Sequence, residues 1–125
     1  MLLRLITVFF VFTSLCFVPV QYGQANPHEK VSSLKLQSFT QINYNWKLQG
    51  KQLVAVFNFK EGFKGAVNFV QQLIEPADAM NHHPEVSITY NKVTISLTTH
   101  DAGGITHADL ALAKVIQKLY ADIGK

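Results

Sequence analysis

The stretch EVSITYNKVTISLT, residues 85–98, alternates apolar and polar side chains more clearly than any other part of the chain. Apolar residues at every second position are typical of half-buried β-strands. The alternation runs on both sides of Asn91-Lys92, and asparagine tolerates the left-handed backbone that a tight turn needs. We therefore predict two antiparallel strands joined by a two-residue loop at positions 91 and 92.

A second pair of strands precedes this hairpin. Trp46-Lys47-Leu48 and the run at residues 53–59 are rich in apolar and aromatic side chains, with Gly50 between them. Glycine adopts the backbone angles of tight turns without steric cost, so a hairpin turning at Gly50 is expected.

Two segments instead repeat their apolar residues at three- and four-residue steps, which indicates amphipathic helices. The first runs from Glu61 to about Ile74, and the second from Thr106 to about Ile123. Pro76 disfavours helix at the residue before it, so residues 77–81 form either a kinked continuation or a new short turn.

The elements follow the order strand, strand, helix, strand, strand, helix. This order predicts an α+β domain at residues 42–125: a four-stranded antiparallel sheet with two or three helices packed on one face. Residues 26–41 are polar, and we interpret them as a linker or a short helix. One domain fits this length, because about 100 residues remain once an apolar leader at residues 1–25 is set aside.

The leader has the organisation of a signal peptide. Arg4 precedes an apolar stretch from Leu5 to Val20, and Gly23-Gln24-Ala25 is a small-x-small cleavage site. About sixteen apolar residues are short for a membrane span, so a retained anchor is the alternative interpretation. We expect cleavage after Ala25, an exported (periplasmic or secreted) protein, and no membrane association after cleavage.

The charge and the cysteine content argue against a nucleic-acid-binding protein and against a fold held by disulfides or thiolate-bound metal. The net charge is +3, and the basic residues form no cluster, which argues against a nucleic-acid partner. The single cysteine, Cys16, lies in the leader, so the mature chain forms no disulfide and no thiolate metal site.

Polar residues that folding alone does not require gather around the second hairpin. With the loop at positions 91 and 92, paired positions sum to 183, so His83 is expected opposite His100, with Cβ atoms about 5 Å apart. This register also keeps the apolar residues on one face. His82 is adjacent, and Asp109 follows a short loop at a helix start. We interpret the convergence of three imidazoles and a carboxylate as a functional site.

Other interpretations remain open for the same residues. His82-His83-Pro84 is also compatible with a polar turn, and Asp109 with a helix cap, since Thr106 and Asp109 have capping-box spacing. Three histidines can hold zinc, but adjacent His82 and His83 would have to aim both rings at one ion. We therefore predict no metal.

The candidate residues belong to several short sequence motifs. They are Asp78-x-x-x-His82-His83-Pro84, Tyr90-Asn91-Lys92-Val93, Thr99-His100-Asp101, Gly104-Ile105-Thr106 and Asp109, preceded by Trp46, Phe57-x-Phe59 and Phe63. Together they resemble the signature of the pterin-4a-carbinolamine dehydratase family, also found in the dimerization cofactor of a homeodomain transcription factor. The resemblance covers about Trp46 to Tyr120.

The resemblance implies a four-stranded antiparallel sheet in a homodimer or homotetramer, and the removal of water from 4a-hydroxytetrahydropterin to give quinonoid dihydropterin. It places His82, His83 and His100 at the catalytic positions. The orienting or substrate-binding positions are Asp78, Pro84, Thr99, Asp101 and Asp109. No cofactor is implied, and the expected partner is a small-molecule pterin.

Imidazoles suit this reaction because histidine serves as acid or base near neutral pH. Our hypothesis is that His82 and His100 transfer protons while His83 holds and polarises the pterin, with Asp109 and Asp78 orienting imidazoles or binding polar ring atoms. The alternative is a non-catalytic oligomerising or pterin- or metal-binding module on the same fold.

Overall fold

The computed structural model describes residues 25–123, so the predicted leader lies outside the described residues except for Ala25. The elements are α1 (Ser33–Ile42), β1 (Trp46–Gln49), β2 (Gln52–Asn58), α2 (Phe63–Gln72), α3 (Ile74–Met80), β3 (Glu85–Thr89), β4 (Lys92–Leu97) and α4 (His107–Ile123). Within residues 25–123, no helix has the length and apolar character needed to cross a membrane.

The four strands form one antiparallel sheet in the order β1-β2-β4-β3. Alternate residues of the central strands are buried, as their period-two pattern predicts. Phe57 of β2 packs against Phe69 of α2 and Tyr120 of α4, with ring centroids 5.4 and 4.7 Å apart. Because both helices contact one strand residue, they share a face of the sheet. The predicted α+β fold is confirmed.

The first hairpin turns where the sequence predicts. Gln49 pairs with Gln52, and Gly50 occupies the first loop position with φ 59°. A side chain at this φ is strained, so glycine is the residue that this turn favours.

The second hairpin has a different register from the prediction. Thr89 pairs with Lys92, so the loop is Tyr90-Asn91 and paired positions sum to 181 rather than 183. Lys92 is drawn into the ladder because it also pairs with Asn58 of β2. Asn91 is held in the loop by its carbonyl, which accepts from the Phe59 N–H at 2.9 Å. Tyr90 takes the left-handed conformation, with φ 53°.

The register shift moves every partner by two residues and therefore preserves the faces. Val86 lies opposite Ile95 rather than Leu97, and Ile88 lies opposite Val93 rather than Ile95. The ladder ends at Glu85, so the expected pairing of His83 with His100 is wrong.

The break at Pro76 takes the form of a new short helix. α2 ends at Gln72, and α3 begins at Ile74, which makes Pro76 the third residue of α3. An N–H in the first turn has no partner within its helix, so the missing proline N–H costs little there. The helix therefore continues to Met80, next to the predicted site.

The N-terminal segment packs against the start of α4 and then forms the helix α1. Within residues 26–41, the helix α1 begins at Ser33, and Leu36 and Phe39 are buried. Residues 27–31, which we call the N-terminal strap, run antiparallel to residues 105–108. The strap accepts hydrogen bonds from the backbone N–H groups of His107 and Ala108, at 3.2 and 3.0 Å. It therefore supplies partners for N–H groups that α4 itself leaves unsatisfied.

Candidate active site

The two adjacent histidines follow a sharp reversal of the chain at the end of α3. Asn81 takes left-handed angles (φ 46°, ψ 41°), and the His82 N–H donates to the Ala77 carbonyl at 3.0 Å. Asparagine is among the few residues that adopt this conformation readily and end helices in this way. The reversal directs His82 towards α4, whereas His83 contacts α3.

Asp109 is the buried carboxylate of the site, with a side chain that is 0% exposed. It lies in the first turn of α4, and its Oδ2 accepts the backbone N–H of Thr106 at 2.7 Å, as the capping-box spacing predicts. Oδ2 also accepts the hydroxyls of Thr99, at 2.8 Å, and of Thr106, at 3.2 Å. One carboxylate oxygen is thus fully engaged in holding the side chain in place.

The other carboxylate oxygen contacts a histidine. Oδ1 of Asp109 lies 2.7 Å from Nε2 of His82, whose side chain is only 12% exposed. An ionised carboxylate accepts hydrogen bonds and donates none, so Nε2 is the donor in this contact. Nδ1 is then the ring nitrogen left to exchange a proton with another molecule.

His83 forms a second histidine-carboxylate pair, but at the surface. Its Nε2 lies 2.8 Å from Oδ1 of Asp78, with side-chain exposures of 61% and 67%. Asp78 comes from the last turn of α3, so Pro76 does not remove it from the site. An exposed pair of this kind adds little stability.

His100 lies in the turn that follows β4. Thr99 and Gly104 form an isolated antiparallel bridge, and the Gly103 N–H donates to the His100 carbonyl at 2.9 Å. The His100 side chain is 79% exposed, and its Nε2 lies 3.8 Å from Oε1 of Glu85. This contact places His100 beside Glu85, the first residue of β3, which follows His83 by two residues.

The structure therefore places the three histidines at the same end of the sheet, just before β3 and just after β4, where each contacts a different carboxylate. His82 contacts Asp109, which binds Thr99, the residue before His100. Pro84 is half-buried between His83 and β3, and Asp101 is exposed in the His100 turn.

Two neighbours of the site were missed by the sequence reasoning. Glu85 forms an ion pair with His100, and Thr106 contributes two hydrogen bonds to Asp109. The capping-box spacing signalled the Thr106 N–H contact but not the hydroxyl contact. Across residues 25–123, no group of three or more His, Cys, Asp or Glu side chains is arranged to hold a metal ion.

Fold and site together are those of a small α+β domain with acid-base side chains gathered at one end of its sheet. Residues 29–119 match the family model described as pterin 4 alpha carbinolamine dehydratase. The chain therefore belongs to the pterin-4a-carbinolamine dehydratase family.

Sequence relatives agree with this assignment. A Cyanothece sp. protein named "Putative pterin-4-alpha-carbinolamine dehydratase" is 52% identical over 75 residues, which are 60% of this chain and 76% of the relative. A Nostoc sp. protein of the same name is 42% identical over 89 residues, covering 71% of this chain and 95% of the relative. The similarity thus extends over most of the relatives' length.

Two solved structures share the fold. A Brucella melitensis protein described as a transcriptional coactivator/pterin dehydratase superimposes with a TM-score of 0.68 at 26% identity, over 74% of this chain and 99% of that chain. A pterin dehydratase-like protein described as a RuBisCO assembly factor in the alpha-carboxysome gives 0.51 at 20% identity, over 78% and 96%. The second similarity shows the fold alone.

Proposed function

We propose that this protein is a dehydratase that converts 4a-hydroxytetrahydropterin to quinonoid dihydropterin and water by histidine acid-base catalysis. The observation that carries the proposal is the contact between His82 and the buried Asp109, beside two exposed histidines, in a chain of this family. A buried carboxylate that holds one imidazole is an arrangement suited to proton transfer.

The reaction needs two proton transfers and no oxidant. One acid donates a proton to the 4a-hydroxyl, the C4a–O bond breaks, and water leaves. One base removes a proton from a ring nitrogen, whose electron pair forms the new C=N bond. In our proposal His82 and His100 perform these transfers, while His83 holds and polarises the pterin.

The contacts support different tasks for the three histidines. His82 is held by Asp109 and mostly buried, so its Nδ1 has a fixed direction. His100 is 79% exposed, and therefore accessible to a substrate and to water. Asp78 orients His83 in this proposal, and Pro84, Thr99 and Asp101 line or support the pterin site.

The test compares spontaneous dehydration of a synthetic 4a-carbinolamine with dehydration in the presence of residues 26–125. We expect acceleration that saturates with substrate and that is lost when His82, His83 and His100 are all changed to Ala. Pterin binding without acceleration would reject the enzyme and favour the alternative, a non-catalytic pterin-binding or oligomerising module.

Assembly and export are further parts of the proposal. Exposed apolar residues on several elements, among them Ile74 at 60% and Val86 at 38%, and the unpaired edge of β3 favour a homodimer or homotetramer. Light scattering of the purified chain measures its mass directly. N-terminal sequencing of the protein made in its own cell tests export, since cleavage after Ala25 gives Asn26 as the first residue.

A further inference from the structure

We propose that Thr106 is a positioning residue for this site: its hydroxyl, together with that of Thr99, fixes the Asp109 carboxylate so that His82 keeps its proton on Nε2. The inference rests on the proposed function for its catalytic consequence. Its structural part concerns only which His82 nitrogen carries the proton.

The hydroxyls of Thr99 and Thr106 both lie within hydrogen-bond distance of Oδ2 of Asp109. The Thr99 hydroxyl donates to Oδ2 at 2.8 Å. The oxygens of Thr99 and Thr106 lie 2.8 Å apart, and the Thr106 hydroxyl also reaches Oδ2 at 3.2 Å. Since the Thr99 proton is used on Asp109, Thr106 donates to Thr99, to Asp109, or to both. Each arrangement strengthens the hold on Oδ2.

The two hydroxyls are buried, which increases the effect of removing either one. Thr106 and Asp109 are 0% exposed and Thr99 is 9% exposed, so water does not readily replace a lost donor. Losing a donor costs a buried carboxylate oxygen free energy, and it weakens the preference of Asp109 for its present orientation. Rotation of the Asp109 side chain would move Oδ1 away from Nε2 of His82.

The backbone at Thr106 is fixed from two directions. Lys30 of the N-terminal strap forms an antiparallel bridge with Thr106, and the Val31 N–H donates to the Ile105 carbonyl at 3.0 Å. On the other side, the bridge between Thr99 and Gly104 closes the His100 turn. Both hydroxyls are therefore held by backbone contacts that do not depend on a bound substrate.

The consequence for catalysis is a defined direction of proton transfer. With Nε2 protonated, Nδ1 of His82 is the nitrogen that faces the reaction. If Asp109 turned away, the neutral ring would populate both tautomers, and only a fraction would present the correct nitrogen. Thr106 acts through Asp109 and His82 and does not itself need to touch the pterin.

The experiment compares Thr106→Val, which removes the hydroxyl, with Thr106→Ser, which keeps it. The control is Thr98→Val, because the Thr98 hydroxyl donates a hydrogen bond to the Lys51 carbonyl at 2.9 Å and makes no contact with Asp109. Readouts are ¹⁵N NMR of the His82 ring, assigned with His82→Ala, and kcat and KM for dehydration.

In Thr106→Val we expect loss of the dominant Nε2-protonated form and a fall in kcat of about 10- to 100-fold, the size of one lost hydrogen bond to a charged group, with KM nearly constant. Thr106→Ser and Thr98→Val are expected to behave as the unaltered protein. A native tautomer and rate in Thr106→Val would overturn the inference.

The serine variant keeps the test decisive if the valine variant does not fold. Serine retains the hydroxyl, so a folded Thr106→Ser protein with a changed His82 tautomer would also overturn the inference. If the unaltered protein fails to accelerate dehydration, the proposed function is rejected, and the NMR comparison alone still decides whether Thr106 sets the His82 tautomer.

Discussion

Nε2 of His82 and Oδ1 of Asp109 lie 2.7 Å apart, and this contact joins a mostly buried imidazole to a fully buried carboxylate across 27 positions of sequence. It connects the chain reversal after α3 to the first turn of α4. The contact is therefore both a link in the fold and the best-defined part of the proposed catalytic site.

Replacing Asp109 with Asn tests the electrostatic part of this contact. Asn has the same shape, but its amide oxygen will favour the Thr106 N–H and hydroxyl, which leaves the NH₂ group facing His82. An NH₂ group donates, so the His82 proton moves to Nδ1. We expect kcat to fall by about 10²- to 10⁴-fold, the range for losing one general acid or base.

The control for Asp109→Asn is Asp122→Asn, which makes the same chemical change at an exposed position of α4. Steady-state dehydration kinetics of both variants provide the measurement. A rate for Asp109→Asn equal to that of the control would show that the carboxylate does not act through His82.

The sheet was predictable from sequence because its signal is local. The two central strands show their buried face in their own alternation, and Gly50 marks the first turn. The second turn was misplaced by one residue because its position is set elsewhere: Lys92 joins the ladder through Asn58, and Asn91 is bound by Phe59. Neither contact is visible in the hairpin sequence itself.

The contact of Asp109 with a histidine was predictable, but the arrangement of the other candidate residues was not. Asp109 was expected near the histidines, yet the expected link between His83 and His100 is replaced by separate contacts to Asp78 and Glu85. The hydroxyl contacts of Thr106 carry no sequence signal beyond that of a helix cap. Such contacts depend on where the loop after β4 returns, which periodicity does not specify.

The proline at the start of α3 gives a prediction about stability. Pro76 lies where its missing N–H costs little, so Pro76→Ala should change the free energy of unfolding by less than about 1 kcal/mol. Ala79→Pro inserts a proline in the last turn of the same helix and should cost about 3 kcal/mol. Urea unfolding measures both. Equal losses for the two variants would mean that the helix break is not at Leu73.

The N-terminal strap should stabilise the α4 start. A chain that begins at Val31 lacks the Pro27 and Glu29 carbonyls, which accept the first N–H groups of α4. Two lost hydrogen bonds correspond to about 1–3 kcal/mol of unfolding free energy relative to a chain that begins at Asn26. Thermal unfolding measures the difference. An unchanged midpoint would show that water replaces the strap at no cost.

We expect alanine variants of the three histidines to differ in their free energy of unfolding. His82→Ala leaves Oδ1 of the buried Asp109 without its partner, so we expect a loss of about 1–3 kcal/mol in unfolding free energy as well as a large loss of activity. His83 and His100 are 61% and 79% exposed, and their alanine variants should stay within about 0.5 kcal/mol of the unaltered protein while losing activity. Urea unfolding paired with the dehydration assay distinguishes these patterns.

A variant of His83 or His100 that kept full activity would remove that residue from the proposed mechanism. A stable and active His82→Ala protein would show that neither the fold nor the reaction depends on the contact with Asp109.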